Sequence, residues 1–164
     1  MARSAVDAQR LDREAHELFT QLGVLQTTGQ DKDGRTITIT PGERFAEINR
    51  RARLIAVSDT LARAVVALLA ARGVPAEVDH VRVDPAAEGD EQVMGVRVQV
   101  GGADAVVPLR PAGTSLRAYP AVDDIDLTGH TPLAEVALPP AADGWVTAEA
   151  VTTALLHHLT PATT

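Results

Sequence analysis

TPGERFAEINRRARLIAVSDTLARAVVALLAARG, residues 40–73, decides how the rest of the chain is read. Thr40, Pro41 and Glu43 form a capping box with proline at the first helical position, which satisfies amides that a first turn leaves free. At the other end Gly73 suits the left-handed conformation that closes a helix. Arg72 meets the negative helix end, and Pro75 blocks extension. Between these marks Phe45, Ile48, Ala52, Ile55, Ala62, Val66 and Leu69 make one apolar stripe, and Leu54, Val57, Leu61, Val65 and Leu68 a second. The stretch predicts one long helix. Ser58, Asp59 and Thr60 prefer caps to helix interiors, so a bend or an exposed polar notch is expected there. The polar first half should pack on a preceding helix and the apolar second half on a sheet. The all-round apolar part is about 13 residues, too short to span a bilayer as a helix, so it reads as core.

Working towards the N-terminus, Ala8, Leu11, Ala15, Leu18 and Leu22 recur with heptad spacing in a first helix, Ser4 to Leu22. Ser4 and Asp7 cap it and Gly23 ends it. That stripe can pair with the long helix or with its own copy in a dimer, and intrachain packing is the preferred reading. Leu11, Leu18 and Leu22, with Arg50 and Arg51, are the candidate interaction residues. Val24–Thr28 and Thr36–Thr40 can form a ribbon around the Asp33-Gly34 turn, with a loop as the alternative. The chain divides into residues 1–40, a helix with its ribbon or loop, and residues 41–164, the α+β core.

Beyond Pro75 the apolar period falls to two. Val78–Val83, Val93–Val100 and Ala105–Arg110 read as strands, the last two joined at Gly101-Gly102. Pro108 places the third at a sheet edge. Weaker strands run over Leu116–Tyr119 and Leu133–Leu138, and Thr147 caps a last helix reaching about Leu159. The fold class is therefore α+β: two N-terminal helices, an antiparallel sheet of three to five strands, and a C-terminal helix.

Composition narrows function. The 164 residues contain no cysteine, which excludes disulfides, thiolate metal sites and cysteine nucleophiles. Net charge is −7, and only Phe19, Phe45, Tyr119 and Trp145 are aromatic. Both facts weigh against general nucleic-acid binding and against anionic membranes. One lysine against fourteen arginines, with abundant alanine and valine, is the composition of a GC-rich genome. The N-terminus has no apolar signal core, so the chain reads as cytoplasmic.

Motifs are few. Asp124, Asp126 and Thr128, then Gly129 and Glu135, follow the spacing of a calcium loop: alternate oxygen ligands, a glycine turn and a terminal glutamate. Over those twelve residues the chain resembles an EF-hand loop, which implies Asp124, Asp126, Thr128 and Glu135 as calcium ligands. Pro120 and Pro139-Pro140 replace the flanking helices, and Thr131 stands where a branched apolar residue is usual. The competing reading is an acidic turn bonded to its own amides, with no cofactor. GWVTAEAVTTALLHHL, residues 144–159, resembles the strand-and-helix element of winged-helix domains, which implies a DNA-binding regulator. It displays Glu149 and His157-His158 where recognition helices carry basic residues. Arg44, Arg50, Arg51 and Arg53 scatter around the helix and read as a self-paired, solvated face. His157 and His158 point apart, and Asp79 and His80 fall on opposite strand faces. A GxSxG elbow, a P-loop and a dinucleotide fingerprint are all lacking.

The sequence thus favours a non-catalytic protein-binding or assembly module, with self-association as the first partner. A ligand-binding protein or enzyme with an acidic pocket near residues 123–135, between sheet and long helix, is the alternative. A regulator acting through the C-terminal helix is the third.

Overall fold

The structure, a computed structural model, describes residues 5–22, 27–39, 43–84, 91–100, 102–121, 131–139 and 144–159. The capping box at Thr40, the caps at Ser4 and Gly23, and the acidic stretch 122–130 lie outside them. Helix α1 spans Ala5–Leu22 and α2 spans Glu43–Ala71. A ribbon of β1 (Thr27–Gln30) and β2 (Thr36–Ile39) lies between them. Strands β3 (Ala76–Asp84), β4 (Glu91–Val100), β5 (Ala103–Pro108), β6 (Ser115–Pro120) and β7 (Ala134–Ala137) form one antiparallel sheet in sequence order. Helix α3 (Ala148–Ala154) continues into one π-helical turn, Leu155–Leu159. The fold is the expected α+β class.

Helix α2 is continuous through 29 residues, about 44 Å at 1.5 Å per residue. The exposed notch expected at Ser58–Thr60 is absent, and the helix runs unbroken through these residues. Ser58 Oγ donates to Ile55 C=O (3.1 Å) and Thr60 Oγ1 to Ala56 C=O (2.9 Å), so both hydroxyls are satisfied inside the helix. Ser58 and Thr60 are buried, and Asp59 pairs with Arg63 one turn on. The stripe Leu54, Val57, Leu61, Val65 and Leu68 is buried throughout. The other stripe is buried only late, at Ala62 and Leu69, while Ile48 is 57% exposed. The buried face therefore runs unbroken through the join and widens in the second half, where Leu61, Ala62, Ala64, Val65, Ala67, Leu68 and Leu69 are all buried. The described apolar segment Ile48–Ala71 is long enough to cross a membrane, contrary to the shorter estimate. Most of it is buried within the fold, as a core helix should be.

The helix ends as the sequence requires. Gly73 adopts φ +75°, its N–H bonds Ala70 C=O, and Val74 N–H bonds Leu69 C=O, each at 3.0 Å. That pair of bonds is the Schellman closure, and it turns the chain directly into β3.

Register separates the sheet faces. Val78, Val96, Val98, Ala105, Val107, Leu116 and Ala118 face the main core with Leu61, Val65 and Leu69 of α2. Fully burying one such leucine stabilises the fold by about 1.5–3 kcal/mol. Helix α1 adds Ala8, Leu11 and Ala15 to the same core, with Leu18 and Phe19 at its margin. Asp7, Leu11 and Glu14 share a crevice with Asp59 and Arg63, while Phe19 lies by Leu54, so α1 and α2 run antiparallel. The heptad stripe is thus an intrachain seam, and Leu11 is not available to a second copy. The side chain of Leu22 lies outside the description.

The C-terminus is tied to α1. Trp145 is buried with its ring 5.3 Å from His16 and 5.1 Å from Phe19. Thr147 caps α3 by accepting from Ala150 N–H, and Asp12 of α1 accepts from Ala148 N–H at 3.1 Å. Two of the four orphan amides of that helix end are satisfied this way. The exposed residues of α3, Glu149 and Thr153, give it no basic surface, and Glu149 lies 3.7 Å from Arg72.

Candidate ligand cleft at a split in the sheet

Strand β5 is not the edge that Pro108 suggested; it lies in the middle of the sheet, between β4 and β6. Its pairing with β6 stops after Ala105↔Pro120 and Val106↔Tyr119. The reason is the proline itself. Alternate residues of β5 aim their backbone groups at β6: Asp104, whose C=O accepts from Ala121, then Val106, then Pro108. Pro108 has no N–H to offer, so the ladder ends where Arg117 would be its partner. The local rule holds for one neighbour and fails for the other.

On the β4 side the same end is closed. Leu109 N–H donates to Met94 C=O at 3.1 Å. Met94 N–H, left without a β5 partner, donates to Ser58 Oγ at 2.8 Å. Helix α2 thus finishes the β4–β5 seam with a side chain, which explains why a buried serine sits in its apolar face.

Between the diverging strands lies a cavity of about 520 Å³, within the range of small-molecule sites. Phe19 of α1, Leu54 of α2 and Pro108 supply apolar wall. Arg110, Thr114, Ser115, Arg117 and Tyr119 supply the polar part, and the turn Pro111-Ala112-Gly113 forms one lip. By register Arg117, Ser115 and Tyr119 belong to the sheet face opposite Val96 and Val107, while Phe19 and Leu54 come from the helices. The cavity therefore occupies the split rather than one face. Leu54 joins Val81, Val93, Val106 and Tyr119 in a small second apolar cluster beside it.

Among the described residues the cavity lining carries two arginines and no carboxylate. Arg117 Nε donates to Glu135 Oε1 at 2.9 Å, and Ser115 Oγ donates to the same oxygen at 3.2 Å. Glu135 stands directly across from Arg117 on β7. The Arg117 bond, and then the Ser115 bond, hold the Glu135 carboxyl below its usual range. Arg117 is raised above its usual value by Glu135 first and by a bond to Tyr119 second.

A second polar cluster lies on the open sheet face. Arg97 Nε donates to Asp104 Oδ2 at 2.8 Å, and Asp79 and Glu77 approach it at 3.8 and 3.9 Å. Hydrogen bonding to Arg97 holds Asp104 below the usual carboxylate range. Asp79 Oδ2 is buried and has no hydrogen bond. These carboxylates are arranged around a guanidinium, as in a cross-strand tie.

The residues singled out from sequence distribute as follows. Glu135 lies on β7 engaged by Arg117 and Ser115, while Asp124, Asp126 and Thr128 fall outside the described residues. Leu11 is in the core, Leu18 is half-buried beside it, Arg50 is exposed and Arg51 half-buried on α2. His80 is exposed on β3. None of the described ones lines the cleft, and Glu135 bonds two residues that do. Phe19, Arg110, Arg117 and Tyr119 were not singled out. The one available signal was Pro108 closing a strand ahead of the turn-forming Arg110-Pro111-Ala112-Gly113. No protein-family model, curated protein or solved structure matches this chain.

Proposed function

We propose that the protein is a non-catalytic binding module whose ligand enters the split between β5 and β6. The carrying observation is the cavity itself: apolar wall from both helices and a rim of two guanidiniums and three hydroxyls, with no carboxylate among the described lining residues. Sites of this kind bind through buried apolar area and orient through a few polar groups. Guanidiniums and hydroxyls hold and orient a bound polar group, which is a binding task. The acidic pocket anticipated from sequence gives way in this reading to a cationic one. The test is a fragment screen followed by amide shifts in NMR. Saturable ligands should perturb Phe19, Leu54 and Tyr119 together, and Ala112→Phe at the exposed lip should block them without altering stability. A screen with no such ligand would sink the reading.

Self-association is the second reading, and the ribbon favours it. Among the described residues, strands β1 and β2 pair only with each other. Their turn is organised by Asp31 Oδ1, which accepts from the amides of Asp33 and Arg35 at 2.9 Å each. Ile37 on β2 is 42% exposed. A two-stranded ribbon is marginal without a surface to pack on, and a second copy would supply one. Light scattering should then show a dimer that Ile37→Lys dissociates; a strict monomer at high concentration removes this reading. Deleting residues 1–23 is not a usable test, because α1 is part of the core.

A further inference from the structure

We propose that the cleft takes a small organic carboxylate with an apolar body, and that Glu135 is a tethered occupant which such a ligand displaces. This rests on the reading of the cleft as a ligand site. Arg117 Nε and Ser115 Oγ both belong to the cleft lining, and both donate to one oxygen of Glu135. Glu135 does not line the cleft; it reaches the pair from β7. Two donors converging on one carboxylate oxygen make a carboxylate receptor, and the chain fills it with its own side chain.

Three features make an exchange feasible. First, the Arg117–Glu135 pair is about half exposed, at 52% and 48%, so solvent already competes for it. A pair of this kind shifts an equilibrium by about fivefold at most. Second, Tyr119 lies two residues along the same strand face and lines the same cleft, so it offers Arg117 a second partner when Glu135 swings out. Third, Arg110 contributes a second guanidinium to a lining whose described residues include no acid, in a chain of net charge −7. The apolar body of the ligand is set by Phe19, Leu54 and Pro108, which offer an aromatic face, a branched aliphatic and a ring edge. An arylalkyl carboxylate satisfies both ends of the site.

The probes are 3-phenylpropanoate and its neutral amide, titrated by calorimetry into the full chain. Trp145, the only tryptophan, lies 5.1 Å from Phe19, so its fluorescence gives a second readout. The acid should bind saturably and the amide at least about tenfold more weakly, because a hydrogen bond to a charged group is lost. Glu135→Gln should tighten the acid by about three- to fivefold and leave the amide unchanged. Arg117→Gln should remove the preference for the acid, with the melting temperature of each variant as the folding control. If acid and amide bind alike, or Glu135→Gln weakens the acid, the exchange proposal is overturned and the cleft reading survives. If neither probe binds, this proposal is also overturned, and the fragment screen alone decides the cleft.

Discussion

Strand β5 has two neighbours, and its two seams are built by different rules. With β4 it makes six register pairs from Gly95↔Pro108 to Val100↔Ala103, and the far end is sealed by Leu109 and by Ser58 of α2. With β6 it makes two, and the rest of the seam opens into the cleft. Pro108 ends only the second; the first runs on to Leu109, and a helix side chain, Ser58 Oγ, takes the amide of Met94 that β5 leaves without a partner. The difference teaches that an opening in a sheet is decided by what stands next to the break. A buried hydroxyl closes it, whereas a turn that supplies no such partner leaves it open.

The sharpest way to break the comparison is to add one atom to the closed seam. A Cβ at Gly95 would lie 2.7 Å from Val107 C=O and 3.0 Å from Val81 Cγ2. The first of these is backbone, so the strand itself must shift. Gly95→Ala should destabilise by about 2–3 kcal/mol in urea unfolding. At the open seam, a far larger addition at the lip, Ala112→Phe, should be near neutral. A change below about 0.5 kcal/mol for Gly95→Ala would show that the closed seam is not tightly packed.

The next test removes the seal without adding volume. Ser58→Ala leaves Met94 N–H buried and unpaired, which costs about 1–3 kcal/mol. The Met94 amide should also exchange faster with solvent than its neighbours Val93 and Val96. If stability falls by less than about 0.5 kcal/mol, water or Leu109 has replaced the hydroxyl, and the two seams are more alike than described.

Much of this architecture is legible in the sequence, and its limits have physical causes. Gly73 and Thr147 were readable because caps are local: a left-handed residue and a side-chain oxygen act within one turn. The strands were readable because apolar alternation survives in isolation. Ser58 was misread because its partner lies 36 residues away; short polar residues in a row signal a break unless something across the core needs an acceptor. Ile48 was placed inward because two stripes compete on α2, and only packing against α1 and the sheet selects one. The cleft was not legible at all. It arises from a register that ends after two pairs, and the Arg117–Glu135 partnership requires knowing that β6 and β7 are aligned. Glu135 drew attention for its calcium-like spacing, whereas its observed partners are a guanidinium and a hydroxyl.

The smallest effect concerns what holds α1 beside both seams. Phe19 lines the cleft from α1, whose middle is tied to the start of α3 where Asp12 accepts from Ala148 N–H. A carboxylate at a helix N-terminus is ordinarily stabilising. Here burial raises the Asp12 carboxyl above its usual range, and Glu149 adds to the rise. The Ala148 bond and His16 oppose it without winning. A carboxyl whose folded pKa is raised penalises its charged form. Its contribution is therefore most favourable below the unfolded value, and it is lost as pH climbs through the folded one. Asp12→Asn keeps the oxygen that accepts from Ala148 and drops the charge. It should match the wild type in acid, near and below the usual aspartate range. At neutral pH it should be slightly more stable, by less than about 1 kcal/mol since the group is half-exposed. Urea midpoints of both proteins across that pH range decide the matter. A variant less stable than wild type at neutral pH would mean that the charge on the helix end outweighs its burial. The pin between α1 and α3, and with it the apolar wall of the cleft, would then rest on an ion–dipole contact rather than a hydrogen bond.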